Sequence, residues 1–333
     1  MPGNYQYSIV AENPHSTVVA EYCAKYTTKK KRAEQYQSEA ELERAFIKQL
    51  QEQAYEYLTI TNADALKNNL RSQLEKLNNF TFSNTEWKQF FSSELANPNQ
   101  SIAEKTATIQ EDYIKNLTLE NGTVKNIYLL DKKNIHNNSL QVINQYATAE
   151  GQRANRYQRE SFWADSGLFE YVQLFVISNG THTKYYSNTT RARHIEESGK
   201  TGAKKGKRSS NSFEFTSWWA DATNKPITDL MDFARTFFAK HALLNILTRY
   251  CVFTAEQELM AMRPYQIVAT ERILGRITVS TNYKKLGTLE AGGYIWHTTG
   301  SGKTLTSFKA AQPASKLPDI DKVLFVVDRK DLD

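Results

Sequence analysis

The stretch that decides the fold is residues 292–304, which read Gly-Gly-Tyr-Ile-Trp-His-Thr-Thr-Gly-Ser-Gly-Lys-Thr. Its apolar first half predicts a buried strand over 292–297, and residues 305–311 predict the start of a helix. A glycine-rich loop between a strand and a helix is the arrangement that holds phosphate groups at the positive end of the helix dipole. The bare backbone N–H groups of Gly300 and Gly302 can approach a triphosphate closely.

The side chains that end this loop carry the chemistry. Lys303 can reach the β- and γ-phosphate oxygens, and the Thr304 hydroxyl can bind Mg²⁺. We therefore predict a loop that binds ATP with Mg²⁺ and consists of Thr299, Gly300, Ser301, Gly302, Lys303 and Thr304. The usual pattern opens with a glycine, and His297 holds that position here. The alternative interpretation is a glycine-rich turn that happens to carry a lysine.

A second nucleotide contact is predicted upstream, in the run Arg263-Pro264-Tyr265-Gln266. A glutamine amide offers one donor and one acceptor, which match the exocyclic amine and N7 of adenine. In helicase-like motors a glutamine upstream of the phosphate loop reads adenine, and we predict this role for Gln266. Without the spacing to Lys303, it would be an ordinary surface residue.

Composition restricts the class of protein. The chain has 333 residues, a formal net charge of +6 and a pI near 9.0, which permits a polyanionic partner without requiring one. Cys23 and Cys251 have neither the spacing of metal ligands nor the density of a disulfide scaffold. No apolar run is long enough to span a membrane, and the polar residues 1–7 lack a secretory signal. We expect a cytoplasmic protein without a membrane partner.

The hydrophobic pattern changes along the chain. Helical spacing follows the Ser38–Glu41 capping box, recurs at Leu66, Leu70, Leu74 and Leu77, and recurs again after Ser83. Short strands are predicted over 125–130, 140–143, 171–177 and 184–186, and a long amphipathic helix over 229–250. Residues 197–212 are rich in Gly, Lys and Ser, and predict a loop that is either solvated or in contact with DNA phosphates.

After the phosphate loop, residues 323–328 predict an apolar strand that ends in the charged cluster 328–331. Translocating motors place DNA contacts at such a strand end, and we therefore predict DNA contacts at Arg329 and Lys330. A plain charged strand terminus is the alternative.

The chain resembles the restriction (R, HsdR) subunit of type I restriction–modification enzymes, and most closely the type IC subgroup. The resemblance is carried by residues 38–44, 127–134, 174–181, 262–270, 292–310 and 323–332. It implies a mixed α/β chain: a restriction-endonuclease-like domain of the PD-(D/E)xK type, followed by the start of a RecA-like helicase motor. The expected organisation is a flexible tail over 1–35, a remnant endonuclease domain over 36–220, a helical connector over 221–260 and the motor over 261–333. The implied partners are DNA and the modification (methyltransferase) and specificity subunits.

The sequence departs from the family pattern in the nuclease. The family places a catalytic Asp after an Asn-Arg-Tyr segment and a Glu-x-Lys soon after it, because carboxylates must hold Mg²⁺ beside the scissile phosphate. Here Asn155-Arg156-Tyr157 continues directly into Gln158-Arg159-Glu160, and no Glu-x-Lys follows before the next matching block. Arg153 also stands where the family has a Gln four residues before the tyrosine. We predict that an internal segment is missing at the Tyr157–Gln158 junction and that no nuclease catalytic residue is present.

The carboxylates of Asp112, Glu120 and Asp131 are expected to be structural, because no second carboxylate stands at the required spacing. The 333 residues also contain no acidic motor motif after the loop, so we expect phosphate binding without hydrolysis. Two other functions stay open: a non-catalytic DNA-binding or assembly module of the restriction complex, and an unrelated helicase-like ATPase fragment.

Overall fold

The computed structural model describes residues 7–13, 16–22, 38–146, 167–190 and 215–326; for the first two ranges it describes the backbone only. These residues fall into two compact units. One unit contains Lys29–Trp219 and Ile227–Ala261, and the other contains Met1–Thr28, Ala220–Pro226 and Met262–Asp333. The predicted mixed α/β character is confirmed.

The first unit is a set of short helices that alternate with small sheets. Its helices are α1 (Glu39–Glu52), α2 (Ala63–Asn78), α3 (Asn84–Phe90), α4 (Ile102–Gln110), α5 (Leu230–Phe237) and α6 (Lys240–Arg249). Its strands are β3 (Glu56–Tyr57), β4 (Ile114–Thr118), β5 (Val124–Tyr128), β6 (Gln141–Val142), β7 (Leu174–Ser178), β8 (Thr183–Ser187), β9 (Ser217–Trp218), β10 (Cys251–Phe253) and β11 (Leu259–Ala261). β3 and β6 pair in parallel, whereas β4–β5, β7–β8–β9 and β10–β11 are antiparallel.

Capping boxes start three of these helices. The Ser38, Ser83 and Ser101 hydroxyls each accept the backbone N–H three residues on, and the glutamate at that position accepts the serine N–H in return. Each box satisfies two N–H groups that a helix start otherwise leaves without partners. The helices expected after Ser38 and Ser83, and the strands expected over 125–130, 140–143, 171–177 and 184–186, are confirmed, with small differences in their ends.

One hydrophobic core of this unit lies where α2 and α3 cover the β4–β5 hairpin. Its buried members are Leu74, Phe82, Phe90, Leu95, Leu117 and Ile127. The rings of Phe82 and Phe90 lie 5.5 Å apart, and Trp87 meets Phe82 edge-on at 5.4 Å. Aromatic contacts of this geometry add to the free energy of burial.

The second unit contains a hairpin of β1 (Tyr7–Asn13) and β2 (Ser16–Tyr22), and the helices α7 (Pro264–Asn282) and α8 (Lys303–Ala314). The hairpin corrects the expectation of a flexible tail over this part of residues 1–35. The β-branched runs Ile9-Val10 and Thr17-Val18-Val19 favour strands.

The predicted helix over 229–250 is instead two helices, α5 and α6, which are separated at Phe238 and Ala239. The reason is tertiary. The Tyr55 hydroxyl donates to the Phe238 carbonyl at 2.9 Å, and the Gln53 amide donates to the Arg235 carbonyl at 3.1 Å. Carbonyl groups at the end of α5 therefore accept hydrogen bonds from residues outside the helix. Ile227–Ala261 groups with the first unit, and the expected connector over 221–260 stays a prediction.

The two strands predicted beside the phosphate loop are not formed among the described residues. Residues 292–298 and 322–326 belong to no helix or strand, and Tyr294 and Trp296 are 90% and 88% exposed. A strand of a parallel sheet is stable only when neighbouring strands satisfy its backbone and cover both faces. Neither run has such a neighbour in the described part of the chain.

Candidate nucleotide-binding site

The candidate site is the loop that connects residues 292–298 to α8. Ser301 closes a turn back to Thr298: its hydroxyl donates to the Thr298 carbonyl at 2.7 Å. Gly300 and Gly302 have φ of +77° and +82°, the left-handed region that glycine occupies at no steric cost. The sequence-predicted glycines thus stand at the two positions where the backbone requires them.

Lys303 and Thr304 form the first turn of α8, and both side chains are exposed. Gly302 is the N-cap, and its carbonyl accepts the Thr306 N–H at 3.1 Å. The first N–H groups of a helix have no partner within the helix and carry a partial positive charge. The loop therefore presents a cation, a hydroxyl and helix N–H groups together, which is a donor set for phosphate.

The first turn of α7 holds this loop. The Tyr265 hydroxyl donates to the Ser301 carbonyl at 2.7 Å, and the Gln266 amide donates to the same carbonyl at 3.1 Å and to that of Gly302 at 3.4 Å. The Gln266 Oε1 accepts the Arg263 N–H at 2.8 Å. The structure thus places Gln266 against the loop, with both ends of its amide hydrogen-bonded within the chain, and the predicted adenine contact stays a prediction.

Sequence reasoning missed Tyr265 as a loop contact. The available signal was its position next to Gln266, at the start of a helix that also begins with a proline. Its ring also meets His297 edge-on, with the centroids 5.6 Å apart. His297, at the position of the missing first glycine, therefore packs against the helix that supports the loop.

A cleft of about 590 Å³ adjoins the first half of the loop, from Thr298 to Ser301. Arg263 and Arg272 line it from α7, and Tyr294 and Trp296 line it from the run before the loop. No Asp or Glu is among the lining residues. This surface is basic and aromatic, a combination that suits a phosphate ester with an attached ring.

The carboxylates of Asp112, Glu120 and Asp131 have separate structural partners. Asp131 accepts the N–H groups of Lys133 and Asn134 and the Asn137 amide, at 2.8–2.9 Å. Burial opposes ionisation of Asp131, but these hydrogen bonds outweigh it and hold its pKa below the usual range. Asp131 therefore closes a turn, as a structural carboxylate does.

The other two carboxylates are also engaged. Glu120 accepts the Ser83 hydroxyl at 2.7 Å, and Asp112 pairs with Lys115. Across the described ranges, no group of three or more His, Cys, Asp or Glu side chains is placed to hold a metal ion. These contacts are of the kind that a structural carboxylate makes, and the structural role of the three residues stays a prediction.

Several predicted features lie outside the described residues: the Tyr157–Gln158 junction, the lysine-rich segment 197–212, and Arg329 and Lys330. None of the helices that the structure describes is both long and apolar enough to cross a membrane.

Comparison with known families matches two parts of the chain. Residues 36–157 and 147–194 match the type I restriction enzyme R protein N terminus, and residues 265–333 match the SWI2/SNF2 ATPase family. The second match contains Gln266 and the whole phosphate loop.

Curated relatives extend the likeness over most of the chain. It is 42% identical over 296 residues to the type I restriction enzyme EcoprrI endonuclease subunit of Escherichia coli, which covers 79% of this chain and 89% of that protein. It is 32% identical over 338 residues to the type I restriction enzyme SsaAORF53P endonuclease subunit of Staphylococcus saprophyticus, which covers 90% of this chain and 32% of that protein. The SauCOLORF180P endonuclease subunit of Staphylococcus aureus strain COL matches to the same extent. The chain thus spans about a third of the length of the staphylococcal relatives.

Proposed function

Because this chain belongs to the family of type I restriction enzyme endonuclease subunits, we propose that it is the nucleotide-binding amino-terminal part of such a subunit. It binds ATP with Mg²⁺ at residues 299–304, and it assembles on DNA with modification and specificity subunits in the cytoplasm. We propose a nuclease-type PD-(D/E)xK fold for the residues of the first family match and a RecA-like fold for the residues of the second.

The observation that carries the nucleotide proposal is the loop geometry. Gly300 and Gly302 are both left-handed, and a Cβ at Gly300 would have no atom within 4 Å, so the backbone there is open to a ligand. Lys303 and Thr304 follow directly and are exposed. These residues fit a polyphosphate. Lys303 would hold the β- and γ-phosphate oxygens, and Thr304 would contribute a hydroxyl to Mg²⁺. The metal would neutralise charge on those phosphates.

We propose that the nuclease centre is incomplete in this chain. The family match divides into two ranges that overlap at 147–157, so this short segment matches the family on both sides of a discontinuity. The alignment with the Staphylococcus saprophyticus subunit covers 90% of this chain's 333 residues but has 338 positions. Some of these positions must therefore be gaps in this chain opposite residues of the relative. Both observations support an internal segment that relatives have and this chain lacks. The missing Glu-x-Lys after Tyr157 agrees with this interpretation.

Equilibrium binding of ATP to the purified chain in the presence of Mg²⁺ tests the nucleotide proposal. Lys303→Ala should weaken binding by about 10- to 100-fold, because it removes a charge-assisted contact to phosphate. The matched control is Lys316→Ala, which removes an exposed lysine after the end of α8 and should leave affinity unchanged. Equal binding by the wild type and Lys303→Ala would reject the proposal.

A non-catalytic assembly module is the second candidate, and the overlapping family match favours it. The test mixes the chain with modification and specificity subunits, ATP, Mg²⁺ and unmethylated DNA. Co-purification of the three proteins without DNA cleavage would support the module. Cleavage would show that the nuclease centre is complete, and a lack of association would reject the module.

A further inference from the structure

We infer that Asn224 is a further contact to the base of the bound nucleotide, made through its side-chain amide. The inference rests on the proposed nucleotide-binding function and adds a base-contacting residue to it. The family matches cover residues 36–157, 147–194 and 265–333, so neither contains Asn224. The adenine contact predicted for Gln266 is unaffected, because Asn224 lines the cleft from a separate segment of the chain.

The cleft lies where the sugar and base of a nucleotide would extend from the loop. Residues 299–301 belong both to the phosphate loop and to the wall of the cleft. Lys303 and Thr304, which would hold the phosphates and Mg²⁺, follow in the first turn of α8. The cleft volume of about 590 Å³ is within the range of small-molecule sites. A nucleotide whose phosphates bind at 299–304 therefore has room for its base in this cleft.

A hydrogen-bonded turn holds Asn224 at the cleft. The Oδ1 atom of Asp221, a residue that is 8% exposed, accepts the N–H groups of Thr223 and Lys225, both at 2.9 Å. The Asn224 N–H donates to the Asp221 carbonyl at 3.0 Å. Asn224 has a φ of +64°, a left-handed conformation that asparagine adopts more readily than most residues other than glycine. The turn belongs to Ala220–Pro226, which lies in the same unit as α7 and the phosphate loop.

The amide of Asn224 is available to a ligand. The side chain is exposed, and its amide makes no hydrogen bond to any other residue that the structure describes. A carboxamide offers one donor and one acceptor, which pair with the exocyclic amine and N7 of adenine. Among the described residues that line the cleft, Asn224 carries the one side-chain amide. The guanidinium groups of Arg263 and Arg272 only donate, so they do not supply such a pair.

The chemistry of this amide suits a base better than a phosphate. Phosphate oxygens only accept, and Lys303 gives them a charged donor, which forms stronger hydrogen bonds than a neutral amide. Tyr294 and Trp296 present exposed rings in the cleft, and stacking on such rings accepts any base, because every base has a π-face. Discrimination between bases requires hydrogen bonds to a base edge, and Asn224 has the groups to form them.

The test titrates the full 333-residue chain with ATP, GTP and inorganic tripolyphosphate in the presence of Mg²⁺. Asn224→Gly removes the amide and keeps a residue suited to positive φ, so it should weaken ATP binding by about 5-fold and leave tripolyphosphate binding unchanged. Asn224→Asp replaces the amide donor with an acceptor and should lower the ratio of ATP to GTP affinity, because guanine presents N–H donors to a carboxylate. Gln257→Gly is the matched control. It replaces another left-handed residue, with φ of +62°, between β10 and β11 in the other unit, and should change none of these affinities.

The outcomes separate this inference from the proposed function. If Asn224→Gly lost affinity for ATP and tripolyphosphate by the same factor, Asn224 would act on the shape of the site and the inference would be overturned. An unchanged affinity of Asn224→Gly for ATP would also overturn it. If the wild type bound none of the three ligands, the proposed function itself would fail. If Asn224→Gly failed to fold in a thermal melt, Asn224→Asp would decide, since an unchanged ratio of ATP to GTP affinity would reject the base contact.

Discussion

The core between α2, α3 and the β4–β5 hairpin contrasts with the surroundings of the phosphate loop. In the first region large aromatic side chains such as Phe82 and Phe90 are buried. In the second region Tyr294, Trp296 and Phe325 are exposed, although they too are large aromatic residues. The difference lies in the elements that cover these side chains. In the first region two capped helices pack on an antiparallel hairpin and bury the aromatic rings. The runs beside the loop have no neighbouring strand among the described residues.

The contrast predicts that the same substitution has very different effects in the two regions. Phe90→Ala should lower the free energy of unfolding by about 3–5 kcal/mol, because Phe90 is 1% exposed and its removal leaves a cavity. Phe308→Ala on α8 should change it by less than about 1 kcal/mol, since that ring is 52% exposed. Denaturant unfolding followed by circular dichroism measures both. Equal destabilisation would mean that the second region has a core of its own.

A second prediction concerns the two loop glycines, which share a left-handed φ but differ in surroundings. Alanine at either position is strained by about 1–2 kcal/mol. Gly302→Ala should in addition displace Gln266, because a Cβ there would collide with Nε2 of that side chain, and should weaken triphosphate binding more than Gly300→Ala, since a Cβ at Gly300 would have no atom within 4 Å. Titration of both variants with tripolyphosphate, alongside their thermal melts, separates backbone strain from displacement of Gln266. Equal losses of affinity in Gly300→Ala and Gly302→Ala would show that displacement of Gln266 does not weaken binding.

These regions also differ in how far the sequence predicted them. The starts of α1 and α3 were predictable because a capping box lies within four residues. The division between α5 and α6 was not, since its cause is Tyr55 and Gln53, which lie far away in the sequence. The strands predicted over 292–297 and 323–328 are not formed over the described residues 292–297 and 323–326 for a related reason: apolar content is local, but the partners of a parallel strand are not.

The candidate site shows the same limit. Its glycines and Lys303 follow from the backbone and charge requirements of a phosphate loop, which are contained in the motif itself. The role of Gln266 depends on which atoms lie beside its amide, and the only sign that Tyr265 contacts the loop was its position next to Gln266. The sequence therefore predicted the position of the loop. It did not predict how α7 holds the loop, which depends on hydrogen bonds that join residues 265–266 to 301–302.

The third prediction tests the capping box that starts α3 in the first region. Ser83→Ala should destabilise the chain by about 1 kcal/mol, because the N–H of Glu86 loses its acceptor and Glu120 loses its hydroxyl donor. Ser92→Ala is the control: this exposed serine donates only to the Gln89 carbonyl and should change stability by less than about 0.5 kcal/mol. Urea midpoints of the two variants give the comparison. A loss in Ser92→Ala as large as in Ser83→Ala would show that the cap has no special role.

The smallest expected effect is a dependence of the first unit on pH, through His241 in α6. Burial lowers the pKa of His241, and the nearby His136 ring, stacked at 5.4 Å, and the Arg249 guanidinium lower it further. The Asn245 amide nitrogen, which can only donate, lies 3.1 Å from Nε2, so the neutral ring accepts there and a proton on Nε2 would face a donor.

Because the folded-state pKa of His241 is lower than the unfolded value near 6.5, the unfolded chain takes up the proton first as the pH falls. Stability should therefore decrease below about pH 6.5, and His241→Gln should decrease less between pH 7.5 and pH 5.5. Urea midpoints at the two pH values measure the slopes, and since His241 is only partly buried, the difference should be smaller than the effect of Ser83→Ala. An identical slope for His241→Gln and the wild type would show that the stacked histidine pair does not contribute to the pH dependence.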